Sequence, residues 1–396
     1  MTRQAQSNRG WSSPPGFCSR LRGLLLSLAV LAALCGCQSL LGSWQAEIVR
    51  PDGSIMRVDP DILRGHQEFA REDGAIPLER VLWQADHSVI QGLILVDAEE
   101  TLHRFAWAPV AGDAWWHEDG IAAIRGEEFV ISRLEVEPPP LLARVEAEIV
   151  DIAPTVAAAL GLRHPSQSVG RPLSASAADH VLLLFLDGLG YVRYSEALRD
   201  GLVPNLAALG EPLVALTEYP PSTRVGTAAL LTGARPEVTG VDGRSIRSTE
   251  SETIFDVAAE AGLRVVAVEG EALAFNLRSA EMQLSGDRDG NGSSDDNVLR
   301  NALAVLDQGM PDLFYVHFHG IDDAGHTYGP WAEQEKEAIR GVDAAVGKLF
   351  KALPEGTLLI VFADHGMHSV QEQGRAGNHG HLIERDMFIP IFVTSK

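Results

Sequence analysis

Aspartate and histidine residues recur in this sequence beside apolar stretches. One such residue alone usually caps a helix or makes an ordinary hydrogen bond, but here four separate stretches each supply one or two. Carboxylate and imidazole groups that come together suit zinc, with manganese or iron as alternatives. The residues are Asp187 in LLLFLDG, Asp322 and His326 in GIDDAGHTYGP, Asp364 and His365 in LLIVFADHG, and His379 and His381 in GNHGH.

A hydroxyl group suited to nucleophilic chemistry lies in LTEYPPSTRVGTAALLTGARPEVTGV, residues 216–241. A Pro-Pro pair runs into Ser222 and Thr223, and a small-residue helix follows that ends at Thr232-Gly233. Either hydroxyl could simply cap this helix. A hydroxyl at a helix start also has free backbone amides and the positive end of the helix dipole beside it, which favour an incoming phosphoryl group.

The apolar stretches are typical of a parallel sheet. HVLLLFLDG at 180–188 is a near-continuous apolar run, as a strand buried on both faces should be. Helical stretches separate it from similar runs, so the sequence predicts an α/β fold with a largely parallel sheet sandwiched by helices. Ligands of such sheets bind at the carboxyl ends of the strands. The other runs are RVVAVEG (264–270), DLFYVHFHG (312–320), TLLIVFADHG (357–366) and MFIPIFV (387–393).

The motifs LFLDGLG, PPSTRVGTAALLTGARPEVTGV, GIDDAGHTYGP, FADHGM and GNHG, in this order, resemble the alkaline phosphatase superfamily. Within it they are most similar to type I phosphodiesterases and nucleotide pyrophosphatases, over roughly residues 178–396. The resemblance implies an exported hydrolase of phosphate esters with two divalent metal ions, zinc or manganese, about 4 Å apart. The sulfatases of the superfamily use a C/S-x-P-x-R setting that Ser222-Thr-Arg-Val-Gly lacks.

The resemblance also assigns roles to single residues. Counting back from Thr232-Gly233 places the nucleophile, which is also a metal ligand, on Thr223, with Ser222 as the second choice. His379 fits the Gly-x-His-Gly pattern better than His381. The implied ligands are Asp322, His326 and His379 for one metal, and Asp187, Asp364, His365 and Thr223 for the other.

Two departures from the family concern the substrate and the order of segments. Where the phosphodiesterases have an Asn that contacts phosphate, the ungapped position here is Arg244, which suits a doubly charged monoester or phosphonate; an Arg facing solvent is the alternative.

Residues 147–173 resemble the segment that usually closes this fold, yet they precede Asp187. We therefore predict a circular permutation in which residues 145–173 supply the C-terminal piece of a catalytic domain spanning 142–396. A truncated chain with a coincidental likeness in these residues is the alternative.

Residues 44–137 are predicted to form a separate, small β-rich domain before the α/β domain. They hold five of the seven Trp residues and alternating stretches such as SVIQGLILVDA. The Pro138-Pro139-Pro140 run is a natural linker. Tryptophan in such a domain favours a core role, and binding of a glycan or protein is the alternative.

The N-terminus and the charge predict where the protein works. Arg20 and Arg22 precede an apolar run that ends in Leu34-Cys35-Gly36-Cys37, which resembles a bacterial lipobox. Residues 1–37 are therefore predicted to be a lipoprotein signal peptide, with lipidated Cys37 anchoring the protein in the cell envelope. A plain signal peptide or a short membrane anchor is the alternative. The formal charge of −22 argues against a nucleic-acid-binding surface, because such partners need clustered Lys and Arg.

The acidic loop at 287–296 has two possible interpretations. DRDGNGSSDD carries Asp287, Asp289, Asn291 and Asp295 around glycines, which fits either a calcium site or a solvated acidic loop.

Instead of a hydrolase, the protein could be a transferase of phospho-alcohols, such as phosphoethanolamine, between envelope lipids. A non-catalytic envelope scaffold is the third hypothesis, and the full set of metal-binding residues weighs against it.

Overall fold

The computed structural model describes residues 44–174, 176–372 and 374–396. The predicted signal peptide and Cys37 lie outside the described residues. Gln45–Lys396 form one compact unit, in which the Trp-rich part and the α/β part each have a sheet of their own. Within the described ranges, no helix is long and apolar enough to cross a membrane.

The N-terminal part is an eight-stranded sheet built around its longest strand, β8 (Glu127–Glu137). This strand pairs with β1, β4 and β7. Trp107 and Trp116 of the same part are fully buried, as expected of core residues. The other strands are β1 (Ala46–Val49), β2 (Ile55–Val58), β3 (Ile76–Pro77), β4 (Gly92–Asp97), β5 (Leu102–Ala106), β6 (Ala114–Trp116) and β7 (Ile121–Ile124), with helices α1 (Pro60–Arg64) and α2 (Leu78–Gln84).

The central sheet has the order β13-β12-β14-β10-β15-β18-β11-β9. Its middle strands are buried along almost their whole length, which explains their unbroken apolar sequences. The prediction of a largely parallel sheet is confirmed, with β18 as the exception because it runs antiparallel to both of its neighbours. The strands are β9 (Ala147–Glu148), β10 (His180–Leu186), β11 (Leu213–Leu216), β12 (Val265–Gly270), β13 (Glu281–Ser285), β14 (Leu313–Phe318), β15 (Thr357–Phe362) and β18 (Phe388–Ser395).

Helices cover this sheet, and a small hairpin of β16 (His368–Glu372) and β17 (Arg375–Asn378) stands beside it. Apolar helix residues such as Phe255, Val305 and Val346 join the strands in one continuous core. The helices are α3 (Ile152–Ala159), α4 (Tyr191–Arg199), α5 (Pro204–Ala208), α6 (Thr223–Thr232), α7 (Pro236–Thr239), α8 (Ile254–Glu260), α9 (Asp295–Gln308), α10 (Gly320–Tyr328), α11 (Glu333–Ala352) and α12 (Glu384–Met387).

The segment predicted to be permuted lies at one edge of the central sheet. Its strand β9 pairs in parallel with β11, with Ala147 opposite Ala215. Ser168 of the same segment packs so closely on Gly233, the left-handed residue that ends α6, that a Cβ atom there would stand 2.2 Å from the Ser168 hydroxyl. Residues 145–173 thus complete the sheet and fix the helix that starts at Thr223, and the permutation itself stays a prediction.

Candidate metal centre and nucleophile

Three adjacent strands carry most of the predicted ligands to one edge of the central sheet. β10 lies between β14 and β15, all three are parallel, and their carboxyl ends therefore meet. Asp187 follows β10 directly, and Asp364 and His365 follow β15. After β14 the chain enters α10, whose first turn holds Asp322.

The first group of potential ligands consists of Asp187, Asp364 and His365, whose ligand atoms lie within 4.8 Å of one another. His365 Nε2 is 3.2 Å from Asp364 Oδ2 and 3.5 Å from Asp187 Oδ1. All three side chains are almost completely buried. Gly188 has φ = +77°, and a Cβ atom at this position would lie 3.0 Å from Asp322 Cβ. The turn after Asp187 therefore requires glycine.

The second group is centred on Asp322 and includes His326, His365 and His379. Asp322 and His326 stand four residues apart on α10, so their side chains share one helix face, with His326 Nε2 3.3 Å from Asp322 Oδ2. His379 Nε2 is 3.8 Å from Asp322 Oδ1. Stacked rings of His365 and His379, 3.7 Å apart, connect this group to the first.

Each of these histidines donates its Nδ1–H to a backbone carbonyl and turns Nε2 towards the carboxylates. The acceptors are Gly377 O for His326 (2.9 Å), Gly366 O for His365 (3.0 Å) and Pro221 O for His379 (2.8 Å). Such bonds fix the tautomer that leaves the lone pair on Nε2, as in metal-binding histidines. In addition, burial, His365 and Arg244 lower the pKa of His379 well below its usual range, so the ring stays neutral.

The carboxylates show that this arrangement fits cations. One buried oxygen each of Asp187, Asp322 and Asp364 has no hydrogen-bond donor, and unsatisfied buried oxygens are costly. Burial and the negative charges of Asp187 and Asp322 raise the pKa of Asp364 well above its usual range. Divalent cations bound by this carboxylate–imidazole set would satisfy the oxygens and balance the charge.

Of the two candidate hydroxyls, that of Thr223 contacts a potential metal ligand. Thr223 is the first residue of α6, and its Oγ1 lies 3.4 Å from His365 Nε2. Ser222 is buried, and its Oγ has no hydrogen-bond partner. Gly226 lets α6 approach the end of β15, because a Cβ atom there would lie only 2.8 Å from Asp364 Cβ. The helix start is thereby held beside the first ligand group.

Arg244 lies at the rim of the centre, against His379. Its Nη2 donates to His379 O (2.9 Å) and to Asn378 Oδ1 (3.0 Å) and is 3.1–3.2 Å from both ring nitrogens of His379. Burial and Arg375 lower the pKa of its guanidinium, which still carries its charge at neutral pH. Arg244, which is exposed, therefore contacts a potential ligand residue, and its role in substrate binding stays a prediction.

His381, the alternative to His379, faces away from the centre. Its Nδ1 pairs with Glu79 Oε1 of α2 at 2.9 Å. Leu382 N donates to the other oxygen of Glu79 at 3.2 Å. His379 thus lies in a group of potential ligands, whereas His381 contacts the N-terminal sheet region.

Three residues that the sequence analysis overlooked lie on the far side of Asp187. His317 and His319 of DLFYVHFHG contact Asp187 Oδ2 through His317 Nε2 (3.1 Å) and His319 Nδ1 (3.4 Å). Glu269, at the end of the neighbouring strand β12, faces the opposite side of both rings. Their signal was present as three ionisable residues at the ends of apolar strands, which the overall hydrophobicity of those runs concealed.

The acidic loop at 287–296 binds its own backbone. Asp287 accepts hydrogen bonds from Gly290 N, Asn291 N and Gly292 N. Asp295 instead accepts from His319 N and Gly320 N, at 2.9 and 3.0 Å. Among the described residues, no converging group of at least three metal-binding side chains includes Asp287, Asp289 or Asp295, so the calcium site stays a prediction without support from the geometry.

Comparison with known proteins agrees with the motifs. Residues 181–389, just over half of the chain, match the model of the family "Type I phosphodiesterase / nucleotide pyrophosphatase". The chain is 30% identical over 101 residues to the human protein "GPI ethanolamine phosphate transferase 3, catalytic subunit", and 34% identical over 87 residues to "GPI ethanolamine phosphate transferase 2" of Yarrowia lipolytica. The matches cover 26% and 22% of this chain but only 9% of each relative.

Solved structures with a similar arrangement include phosphonoacetate hydrolase from Sinorhizobium meliloti, at 20% identity and a TM-score of 0.40 over 53% of this chain and 59% of that one. Murine ectonucleotide pyrophosphatase/phosphodiesterase 5 has 18% identity and a TM-score of 0.39 over 49% and 59% of the two chains. Scores this low say nothing about the activity of this chain.

Proposed function

Because the chain belongs to the type I phosphodiesterase/nucleotide pyrophosphatase family, we propose that it is a metal-dependent hydrolase of phosphate esters with Thr223 as the nucleophile. The observation that carries this proposal is the position of Thr223 Oγ1, 3.4 Å from His365 Nε2 and at the start of α6. In the reaction, a bond forms between Thr223 Oγ1 and phosphorus while the bond from phosphorus to the leaving alcohol breaks. Water then cleaves the phosphothreonine and releases phosphate or a phosphomonoester.

Two cation positions follow from the ligand groups: Asp187, Asp364, His365 and Thr223 for one, and Asp322, His326 and His379 for the other. When bound, zinc or manganese supplies the charge that lowers the pKa of the hydroxyl and balances the phosphate. The chain itself orients the reactants. The first amides of α6, a ten-residue helix, and the guanidinium of Arg244 are donors to the phosphate oxygens.

Hydrolysis of p-nitrophenyl phosphate and bis-p-nitrophenyl phosphate by the zinc- or manganese-loaded chain tests the proposal. Thr223→Ala should lower kcat at least about 1000-fold, because the attacking oxygen is lost. Thr223→Ser should retain measurable turnover, and Ser222→Ala, which removes a buried hydroxyl outside the centre, should remain within about threefold of wild type. Turnover in Thr223→Ala equal to that of wild type would rule out the nucleophile.

A second candidate function is transfer of a phospho-alcohol to an alcohol acceptor. It is favoured by the relatives, which are named ethanolamine phosphate transferases. A transferase would use the same Thr223 step, but the acceptor hydroxyl would replace water in the second step. With a phosphoethanolamine diester and a diacylglycerol acceptor, product formation that depends on the acceptor would favour transfer, whereas equal turnover with and without it would favour hydrolysis.

The proposed place of action is the bacterial cell envelope, reached by export and kept by a lipid on Cys37. The sequence Leu34-Cys35-Gly36-Cys37 after an apolar run supports this. Cells given a labelled fatty acid should label the wild-type protein and leave Cys37→Ser unlabelled. Label in Cys37→Ser would refute the anchor.

A further inference from the structure

Asp187 has a second face, which the proposed centre leaves unused. Its Oδ1 points to His365, whereas its Oδ2 points to His317 and His319. The three residues hold one ligand atom each within 4.8 Å of one another. The register of the two strands brings these side chains together. Phe185 stands opposite His317 in the pairing of β10 with β14, so Asp187 comes opposite His319 two residues later.

The distances at this face are those between ligands of one ion. His317 Nε2 and His319 Nδ1 lie 3.1 and 3.4 Å from Asp187 Oδ2. Two ligands of a tetrahedral zinc, each about 2.0–2.2 Å from the metal, are about 3.3 Å apart. The rings also stand close, with centroids 3.8 Å apart, so both present a nitrogen to the same place.

Glu269 supports the two rings from behind. Its Oε1 lies 3.3 Å from His317 Nδ1 and 3.6 Å from His319 Nε2, the nitrogens that face away from Asp187. A carboxylate there favours the tautomers with N–H towards it and lone pairs towards Asp187, as carboxylates behind metal-binding histidines do. Glu269 and His317 are each 1% exposed, so this group lies in the interior of the protein.

The backbone around the cluster is fixed as well. Asp295, from the start of α9, accepts hydrogen bonds from His319 N and Gly320 N. His317 stacks on Phe185 at 3.8 Å with nearly parallel rings. Both histidines are thereby held in place.

We propose that Asp187, His317 and His319 bind a third divalent cation, of the zinc class, and that Asp187 bridges this cation and the proposed catalytic centre. His317 Nε2, His319 Nδ1 and Asp187 Oδ2 are the protein ligands, and Glu269 is a positioning residue. The site shares Asp187 with the proposed function, on which it rests to that extent, but its other two ligands, His317 and His319, have no part in the proposed mechanism. Its role is to hold Asp187 and balance the buried charge of Asp187 and Glu269.

A proton is the competing occupant. Although burial opposes it, Asp187 and Glu269 raise the pKa of His319 well above its usual range. A protonated His319 between two carboxylates would need no metal. Metal content distinguishes the two occupants directly.

The experiment is to equilibrate the full-length chain with buffered free zinc, remove excess metal, and measure zinc per chain by elemental analysis. Wild type should bind three zinc ions, and His317→Gln and His319→Gln should each bind two. His103→Gln is the matched control, because His103 also pairs with an aspartate, Asp97 at 2.9 Å, but belongs to the N-terminal sheet. It should still bind three.

Two zinc ions in wild type and in every variant would overturn the third site and leave the proposed catalytic centre intact. Zinc absent from wild type would contradict both. If His317→Gln and His319→Gln do not fold, Glu269→Gln decides. It keeps all three ligand atoms, so one zinc of three should be lost to a chelator at about 10–100-fold lower chelator concentration, whereas an unchanged titration would overturn the proposal.

Discussion

At the scale of single residues, the centre depends on which nitrogen and which oxygen face inward. Hydrogen bonds to backbone carbonyls fix the tautomers of His326, His365 and His379. No side-chain carboxylate is needed to orient these rings. The carboxylates remain free to face the cations.

Arg244 gives the clearest prediction about the substrate. Arg244→Ala should reduce hydrolysis of the monoester about 10–100-fold and that of the diester much less, because a charged hydrogen bond to a second terminal oxygen contributes about 1.5–3 kcal/mol. The measurement is kcat/KM for p-nitrophenyl phosphate and bis-p-nitrophenyl phosphate. Arg247→Ala is the control, since Arg247 donates to backbone carbonyls such as Ala272 O. Equal losses on both substrates would mean that Arg244 does not recognise the phosphate charge.

The sequence alone predicted those candidate site residues that belong to short, contiguous motifs. Asp187, Asp322 and Asp364 stand at the ends of apolar runs, and the geometry brings all of them together. The choice of His379 over His381 rested on a short pattern, and only the fold shows that His381 pairs with Glu79, about 300 positions away. Glu269, His317 and His319 escaped notice because pairing between distant strands, not spacing along the chain, assembles them.

At the scale of elements, the contact between α6 and the end of β15 positions Thr223, the proposed nucleophile. Gly226→Ala would place a methyl group 2.8 Å from Asp364 Cβ. We expect a loss of about 1–3 kcal/mol in the free energy of unfolding from overpacking and about a 100-fold fall in kcat if α6 moves by 1 Å. Chemical denaturation and steady-state kinetics measure both.

The control for Gly226→Ala is Gly341→Ala in the long helix α11, where a Cβ atom meets nothing within 4 Å. That substitution should keep wild-type activity and stabilise the protein by up to about 1 kcal/mol, since alanine favours helix. Wild-type kinetics in Gly226→Ala would show that the approach of α6 is not needed for activity.

Helix α8 provides a prediction about pH. Asp256 and Thr253 form a capping box, and Asp256 also binds Arg278 and Ser279. Although burial opposes it, these contacts lower the pKa of Asp256 to about 2. A lowered pKa means that the stabilisation is complete above the unfolded pKa of about 3.8 and is lost as the pH falls through about 2.

Asp256→Asn should therefore destabilise the protein by about 2 kcal/mol at pH 7, and the difference from wild type should shrink between pH 4 and pH 2. Urea denaturation at several pH values gives the free energies. Asp242→Asn, a substitution of a carboxylate in the loop before Arg244, serves as the reference. A constant difference between Asp256→Asn and wild type across this range would contradict the assignment.

The strands themselves were predictable, because runs buried on both faces must be apolar throughout. The direction of β18 was not. Its sequence has the same apolar character as that of β10, and direction depends on how α12 returns the chain to the sheet between β15 and β11. The pairing of β9 with β11 likewise joins residues more than sixty positions apart.

At the scale of the whole molecule, the N-terminal sheet region contacts the loops that carry the centre. Glu79 binds His381 and Leu382, Arg80 donates to Asp242 O at 3.2 Å, and Trp83 packs on Tyr219. These three loops also carry His379, Arg244 and Thr223. The region thus supports the centre from outside, although its composition gave no indication of that role.

Glu79→Gln tests this support. Loss of the buried charge should lower the free energy of unfolding by about 1.5–3 kcal/mol and weaken zinc binding at the proposed position that includes His379. Thermal denaturation and a chelator titration report the two effects. Glu137→Gln is the control, because Glu137 pairs with Arg104 on the surface of the same sheet region, at 53% and 61% side-chain exposure, and should change neither quantity by much. Unaltered zinc affinity in Glu79→Gln would show that the region does not support the centre.

The place of β18 has a consequence for biosynthesis. In the central sheet this strand stands between β15, which leads to Asp364, and β11, which leads to Thr223. Residues 388–395 are made after every other strand described here. The two halves of the sheet can therefore be joined only after β18 has been synthesised. A chain synthesised only as far as β15 consequently lacks the strand that joins Asp364 to the Thr223 side of the sheet, and its centre stays incomplete until β18 has been made.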